Sequence, residues 1–311
     1  MRASLALRRN EIDPGSVVLR SSPAHLLAAT LLAATVSYPV GADSHRAPPS
    51  EEQPESAANL SEEDCHCTEA PRQEVLPSRS TGYPWRGRLR EGIRLDASDT
   101  IHLMEVDVPR GNFFGTRSLV NLLRRASERV EVDAPGARLN VGELSRRGGG
   151  NIMGHRSHEN GRDVDIGFYL KDEAGVPYEP RRFVEMNRQG QGRDAGQRVF
   201  FDDARNWLLM KALVTDGVAV QHAFVHRSLR RRILDEGARQ GASAELLAKV
   251  ERVVISPGVS HPHRNHFHVR IYCPAADVPA CRDRGPYWPW LPSDHPFTAR
   301  IVSLPGWPPG E

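Results

Sequence analysis

Lysine is almost missing from this sequence: Lys171, Lys211 and Lys249 are the only three among 41 basic residues. Arginine supplies the other 38, a bias that codon composition accounts for as readily as recognition does, so no functional role is assigned to it. A charge excess of either sign is also lacking, since 41 basic against 39 acidic residues leave +2 over 311 residues. No strong field gathers a polyanion, so nucleic acid is excluded as a partner class. Long apolar runs are absent too. The run 26–36 spans 11 residues, about half of the roughly 20 that a helix needs to cross a bilayer, which excludes a transmembrane anchor. Of the four cysteines, Cys65, Cys67, Cys273 and Cys281, no two have the spacer of a four-cysteine zinc knot. No internal repeat occurs, and Gly148, Gly149 and Gly150 lack the Lys and Ser/Thr of a phosphate loop, so they read as a turn.

What is present divides the chain into four. Arg8, Arg9 and Arg20, the run 26–36, then Pro39 and the small triplet Val40, Gly41, Ala42 read as a secretory signal over 1–42. Residues 43–80, rich in Pro, Ser and Glu and poor in large apolar side chains, cannot offset their ordering entropy and read as a disordered linker. Residues 81–284 carry enough apolar content for a core and form the expected domain, and 285–311 is a tail rich in Pro and Trp. Export to an oxidising compartment would permit disulfides.

Periodicity places the elements of that domain. Amphipathic helices are expected over 116–130, 203–214, 228–240 and 243–253. Over 162–169, Val164, Ile166 and Phe168 alternate with Asp163, Asp165 and Gly167, the period of a strand that puts both carboxylates on one face. In 266–271 the same alternation sends His266, His268 and Arg270 to one face and Phe267, Val269 and Ile271 into the core.

Six of the 13 histidines fall in two short windows: His155 and His158, then His261, His263, His266 and His268. A catalytic zinc site takes three N or O ligands and keeps a position for water. His158 before one strand, Asp165 on it and His268 on the other supply such a set. Hydrolysis also needs a proton carrier, and His266 or His263 fills that role, since imidazole titrates near neutral pH. His155 reads as a further metal ligand, a substrate contact or a turn residue. Asp163 can orient a ligand imidazole from behind, and Arg156, Arg162 and Arg270 could each grip a substrate carboxylate.

The run Gly154, His155, Arg156, Ser157, His158, Glu159, Asn160, Gly161, Arg162, Asp163, Val164, Asp165, together with His266, Phe267, His268, Val269, Arg270, resembles penicillin-insensitive murein endopeptidases, which belong to the LAS metallopeptidases. The resemblance spans about Tyr83 to Cys281. It implies an α+β fold, a small antiparallel sheet flanked by helices and long loops. It also implies a periplasmic zinc enzyme that cuts D-alanyl to meso-diaminopimelyl cross-links of peptidoglycan. Carried over by position, His158, Asp165 and His268 would be the zinc ligands, His155 an additional metal-site residue, and His266 and His263 the catalytic histidines. Cys273 with Cys281 suggests a local disulfide. Some relatives carry an Asp and a His three apart between the two motifs; here Asp202 and Asp203 are followed by Arg205 and Asn206.

The expected activity is therefore that of a zinc metalloendopeptidase on cross-linked peptidoglycan peptides. Its rivals are a D,D-carboxypeptidase on stem peptides and a non-catalytic protein that binds zinc or cell wall.

Overall fold

The computed structural model describes residues 76–258 and 262–300. The expected signal segment, most of the expected linker, Cys65, Cys67 and His261 lie outside the described residues.

The two alternating segments form adjacent central strands, Asp163–Gly167 and His266–Ile271, of a six-stranded sheet. They pair antiparallel in a register that sets His268 opposite Asp165 and Arg270 opposite Asp163. Their apolar residues Val164, Ile166, Phe267 and Val269 are fully buried on the other face. Because side chains alternate along a strand, burying one set turns every polar residue of the pair toward the opposite side. Outward from His266–Ile271 lie Val220–Phe224 and the edge strand Val254–Ile255; outward from Asp163–Gly167 lie Leu139–Val141 and the edge strand Ile101–Leu103. The inner pairings are antiparallel, and both edge strands join parallel. A separate four-stranded sheet and two two-stranded sheets complete the β structure of an α+β fold.

Four helices form where periodicity expects them, and capping residues sharpen the boundaries. The Thr116 hydroxyl accepts from the Leu119 N–H to start α1 (Arg117–Asp133), and Asp202 accepts from Arg205 to start α2 (Asp203–Thr215). His226 caps α3 (Arg227–Arg239) and Ser243 caps α4 (Ala244–Val253). Such side-chain acceptors satisfy N–H groups that have no partner within the helix, worth about 1 kcal/mol each. Helix α2 packs against the other three, so its Trp207, Leu209, Met210 and Leu213 are all buried; burying one such side chain contributes about 1.5–3 kcal/mol. Asp202 and Asp203, the acids between the two histidine windows, are occupied here: the first caps α2 and the second pairs with Arg232.

Two expected boundaries shift. Strand Arg79–Tyr83 begins inside the segment expected to be linker, pairing with Arg86–Arg90 as a hairpin. Residues 285–300 do not leave the domain: Tyr287, Leu291 and Phe297 pack with Tyr272 and the Cys273–Cys281 disulfide in a second apolar cluster. Residues 280–282, just ahead of it, are tied to the hairpin through Gly82 N–H to Ala280 O, 2.8 Å, and Arg282 N–H to Gly82 O, 3.0 Å. Arg162 is the bolt beneath it. Its guanidinium is fully buried and donates to Asp283 Oδ1 at 2.6 Å and to Ile271 O at 2.9 Å. That corrects the expectation that Arg162 grips substrate: an arginine sealed from solvent and neutralised by Asp283 has no reach to a ligand. Among the described residues, no helix is long and apolar enough to cross a membrane.

Candidate metal centre

The glycine turn and the loop behind it deliver the first histidines. Gly149 has φ +68°, and a Cβ there would sit 2.2 Å from Glu159 O and 2.5 Å from Leu89 N, so only glycine lets the loop close against the hairpin. His158 also adopts a left-handed backbone, φ +74°, a conformation that costs a non-glycine residue on the order of 1 kcal/mol and persists only when its surroundings fix it. They do so three times. The His158 N–H donates to Asp163 Oδ2 at 3.1 Å, its carbonyl accepts from Ser145 Oγ at 2.5 Å, and its ring Nδ1 donates to Leu144 O at 2.7 Å. With Nδ1 carrying the proton, Nε2 presents its lone pair inward.

Three donor atoms meet there. His268 Nδ1 lies 3.0 Å from Asp165 Oδ1 and 3.2 Å from His158 Nε2, and His158 Nε2 lies 3.3 Å from Asp165 Oδ1. Behind His268, Asp163 Oδ1 is 3.2 Å from Nε2 and also accepts from Arg270 Nε at 2.5 Å. His155 approaches from the side, its Nδ1 3.5 Å from Asp165 Oδ2, while Nε2 is 2.7 Å from Glu143 Oε2. His155, His158 and Asp165 each offer a ligand atom within 4.8 Å of one another, so the group can hold a metal ion. The tighter triangle is the one completed by His268.

Charge is concentrated and balanced by contact. Burial disfavours the ionised carboxylates of Asp163 and Asp165, yet Arg270 and His268 hold the first well below the usual carboxylate range, and His158, His266 and His268 do the same for the second. Burial also opposes a charged His268 ring, but its hydrogen bonds to Asp163 and Asp165 overcome this and push it up to about 9. His155 likewise rises against burial, through Glu143 and Asp165. His266 goes the other way: burial dominates and brings it down to about 4.

The group forms part of the wall of an open cleft of about 730 Å³ whose lining includes Trp85, Arg156, Phe224, His263, Arg264 and His266. The side chain of His266 lies across the ring of Phe183, centroids 4.9 Å apart, with Nδ1 2.7 Å from Asn265 Oδ1 and Nε2 3.6 Å from Asp165 Oδ1. His263, at φ +44°, holds its ring 5.0 Å from that of His266 and 6.0 Å from that of His268. All six residues singled out by sequence, His155, His158, Asp165, His263, His266 and His268, thus line one cleft. Of the three arginines, Arg156 is exposed in it, Arg270 is engaged by Asp163, and Arg162 is excluded.

Sequence reasoning missed Glu143, Phe183 and Trp85. Glu143 is buried and shared among His155, Asn112 Nδ2 at 2.6 Å and Arg110 Nη1 at 2.9 Å. Its only sequence signal is an acid set among apolar residues, Val141 and Leu144, directly after Gly142.

A family profile described as penicillin-insensitive murein endopeptidase matches residues 81–290. Proteins of that name are similar to this chain. The one from Haemophilus influenzae is 26% identical over 181 residues, covering 57% of this chain and 57% of that protein. The one from Pectobacterium atrosepticum is 29% identical over 186 residues, 58% and 59%. The one from Salmonella heidelberg is 29% identical over 192 residues, 60% and 63%. The chain therefore spans less than two thirds of the length of these relatives.

Proposed function

Because the chain belongs to the penicillin-insensitive murein endopeptidase family, we propose that it is an exported periplasmic zinc metallopeptidase that hydrolyses D-alanyl to meso-diaminopimelyl cross-links in peptidoglycan. The observation that carries this reading is the triangle of His158 Nε2, Asp165 Oδ1 and His268 Nδ1, with sides of 3.0, 3.2 and 3.3 Å, at the wall of an open cleft. Tetrahedral zinc ligands bonded at about 2.0–2.2 Å stand roughly 3.3–3.6 Å from one another, and two imidazoles with one carboxylate are a common catalytic set. The donors fit that ion with little movement. His158, Asp165 and His268 would hold it, with His155 as an additional residue at its edge. Bound there, zinc supplies Lewis acidity toward a peptide carbonyl and a water molecule.

The remaining work falls to side chains. Leu144 O and Asp163 fix the tautomers of His158 and His268 from behind, so that one nitrogen of each ring faces the centre. Asn265 accepts from His266 Nδ1, leaving the Nε2 lone pair aimed at the cleft side of Asp165. A ring brought down to about 4 is neutral near pH 7, so its Nε2 is free to take a proton from the reacting water and pass it on to the departing amine. His263 stands next to it as the second candidate. The Cys273–Cys281 disulfide supports an oxidising compartment.

Two measurements test this reading. The purified zinc-loaded protein is expected to convert a cross-linked stem-peptide dimer into two monomers, identified by mass. An intact dimer beside a linear pentapeptide shortened by one alanine would reassign the protein as a D,D-carboxypeptidase; bound zinc with neither product would make it a non-catalytic binder. The second concerns protons. Since the pKa of His268 is raised, its proton stabilises the metal-free fold fully below about pH 6.5, and that stabilisation is lost as the pH climbs through about 9. A metal must displace this proton from Nδ1. Zinc titration near neutral pH is thus expected to release about one proton per ion, and affinity to rise about tenfold per pH unit until near pH 9. Calorimetry in buffers of different ionisation enthalpy measures the release; none would remove His268 from the ligand set.

A further inference from the structure

Beside the candidate metal centre stands an aromatic shelf that the proposed hydrolysis does not use. Trp85 occupies the turn of the hairpin made by Arg79–Tyr83 and Arg86–Arg90, lines the same cleft, and is 37% exposed. Its ring stacks on Tyr83, centroids 4.8 Å apart and planes 10° from parallel. The Arg284 guanidinium lies 5.0 Å from the Trp85 centroid and 5.3 Å from that of Tyr83. A group only 5.3 Å from Tyr83 cannot lie over the far face of Trp85, so neither Tyr83 nor Arg284 covers that face.

The shelf is held in place. Pro84 O accepts from the Glu159 N–H at 2.9 Å, Glu159 Oε2 accepts from Gly87 N–H at 3.2 Å, and Asn160 Nδ2 donates to Gly82 O at 3.3 Å. Those bonds fasten the turn to the loop that bears His155 and His158. Arg284 arrives from the segment that follows the disulfide, itself bonded to the hairpin at Gly82. Two recognition groups have no polar partner among the described residues: the Trp85 indole N–H has no hydrogen bond, and the Arg284 guanidinium has neither a hydrogen bond nor a carboxylate.

We propose that this shelf is a subsite for the glycan strand from which the stem peptides hang, taking an N-acetylhexosamine ring on the outward face of Trp85. The apolar C–H face of a pyranose matches a flat indole held rigid by a stack, where little entropy remains to be lost on binding. The indole N–H suits an acetamido or hydroxyl oxygen, and the guanidinium suits the lactyl oxygens of a muramic acid. The identity of the polymer rests on the peptidase reading; the stacking chemistry does not.

The test is a calorimetric titration of the whole chain with a peptide-free tetrasaccharide of alternating N-acetylglucosamine and N-acetylmuramic acid. Wild type is expected to bind it, Trp85→Ala to bind about tenfold more weakly or less, and Trp85→Phe to stay within about threefold. Arg284→Ala, at an exposed position, is expected to weaken binding severalfold and to lessen its salt dependence. Melting temperatures report whether each variant folds, so the arginine variant alone decides the matter if the tryptophan variant does not. Failure of wild type to bind the tetrasaccharide, or equal binding by the variants, overturns the subsite. Cleavage gives a second arm: Trp85→Ala should lower kcat/KM for a glycan-bearing dimer about tenfold more than for a sugar-free one. Equal losses on both would assign the shelf to peptide and overturn the proposal. If wild type cleaves neither dimer, the peptidase reading falls, and the tetrasaccharide titration still settles the shelf.

Discussion

Asp165→Ala is expected to empty the protein of zinc and to lower cross-link cleavage roughly a thousandfold or more, since Lewis-acid stabilisation supplies several kcal/mol of barrier lowering. Among the described residues, Asp165 is the one carboxylate that contacts His155, His158, His266 and His268 together. Removing it deletes the proposed ligand oxygen and also the negative charge that lets cationic species gather in a buried site. His268 would then keep only Asp163, which Arg270 already shares. Elemental analysis beside a mass-resolved cleavage assay reads both losses at once. A chelator should bring wild type to the level of the variant, and added zinc should restore wild type alone. A variant that kept both its metal and its turnover would end the zinc reading.

His266→Ala is expected to separate the two losses: zinc stays bound while turnover drops by about 100-fold or more. His266 Nε2 stands 3.6 Å from Asp165 Oδ1 and outside the tight triangle, and its other nitrogen is held by Asn265. The proposed mechanism therefore gives it the proton rather than a place in the ligand set. Metal content near that of wild type with slow turnover supports this assignment. Unchanged turnover passes the role to His263, whose ring is 5.0 Å away, and the same assay on His263→Ala then locates the carrier. Loss of zinc in His266→Ala would instead make His266 part of the metal site.

Both experiments probe residues that were legible before any coordinates. The alternation around Asp165 and His268 predicts two strands, and their polar residues fall on the same side of one sheet. Helix ends were legible to within a few residues from apolar periodicity alone, and the capping by Thr116, Asp202 and Ser243 emerges only in the fold. Arg162 was misjudged for a physical reason. An arginine reads as exposed unless a buried acid is known to face it, and Asp283 lies 121 residues further along the chain. Glu143, Phe183 and Trp85 escaped for the same reason, since each acquires its role from a neighbour in space.

The sequence by itself determined the side-chain types, their faces and the family, because period-two alternation and local motif spacing are properties of a few consecutive residues. Only the tertiary structure decided that His268 stands opposite Asp165, that Leu144 O and Asp163 choose which ring nitrogens turn inward, and that Trp85 lines the same cleft. Register and hydrogen-bond partners follow from burying Val164, Ile166, Phe267 and Val269 together across more than 100 residues of intervening chain, and no local pattern encodes that pairing.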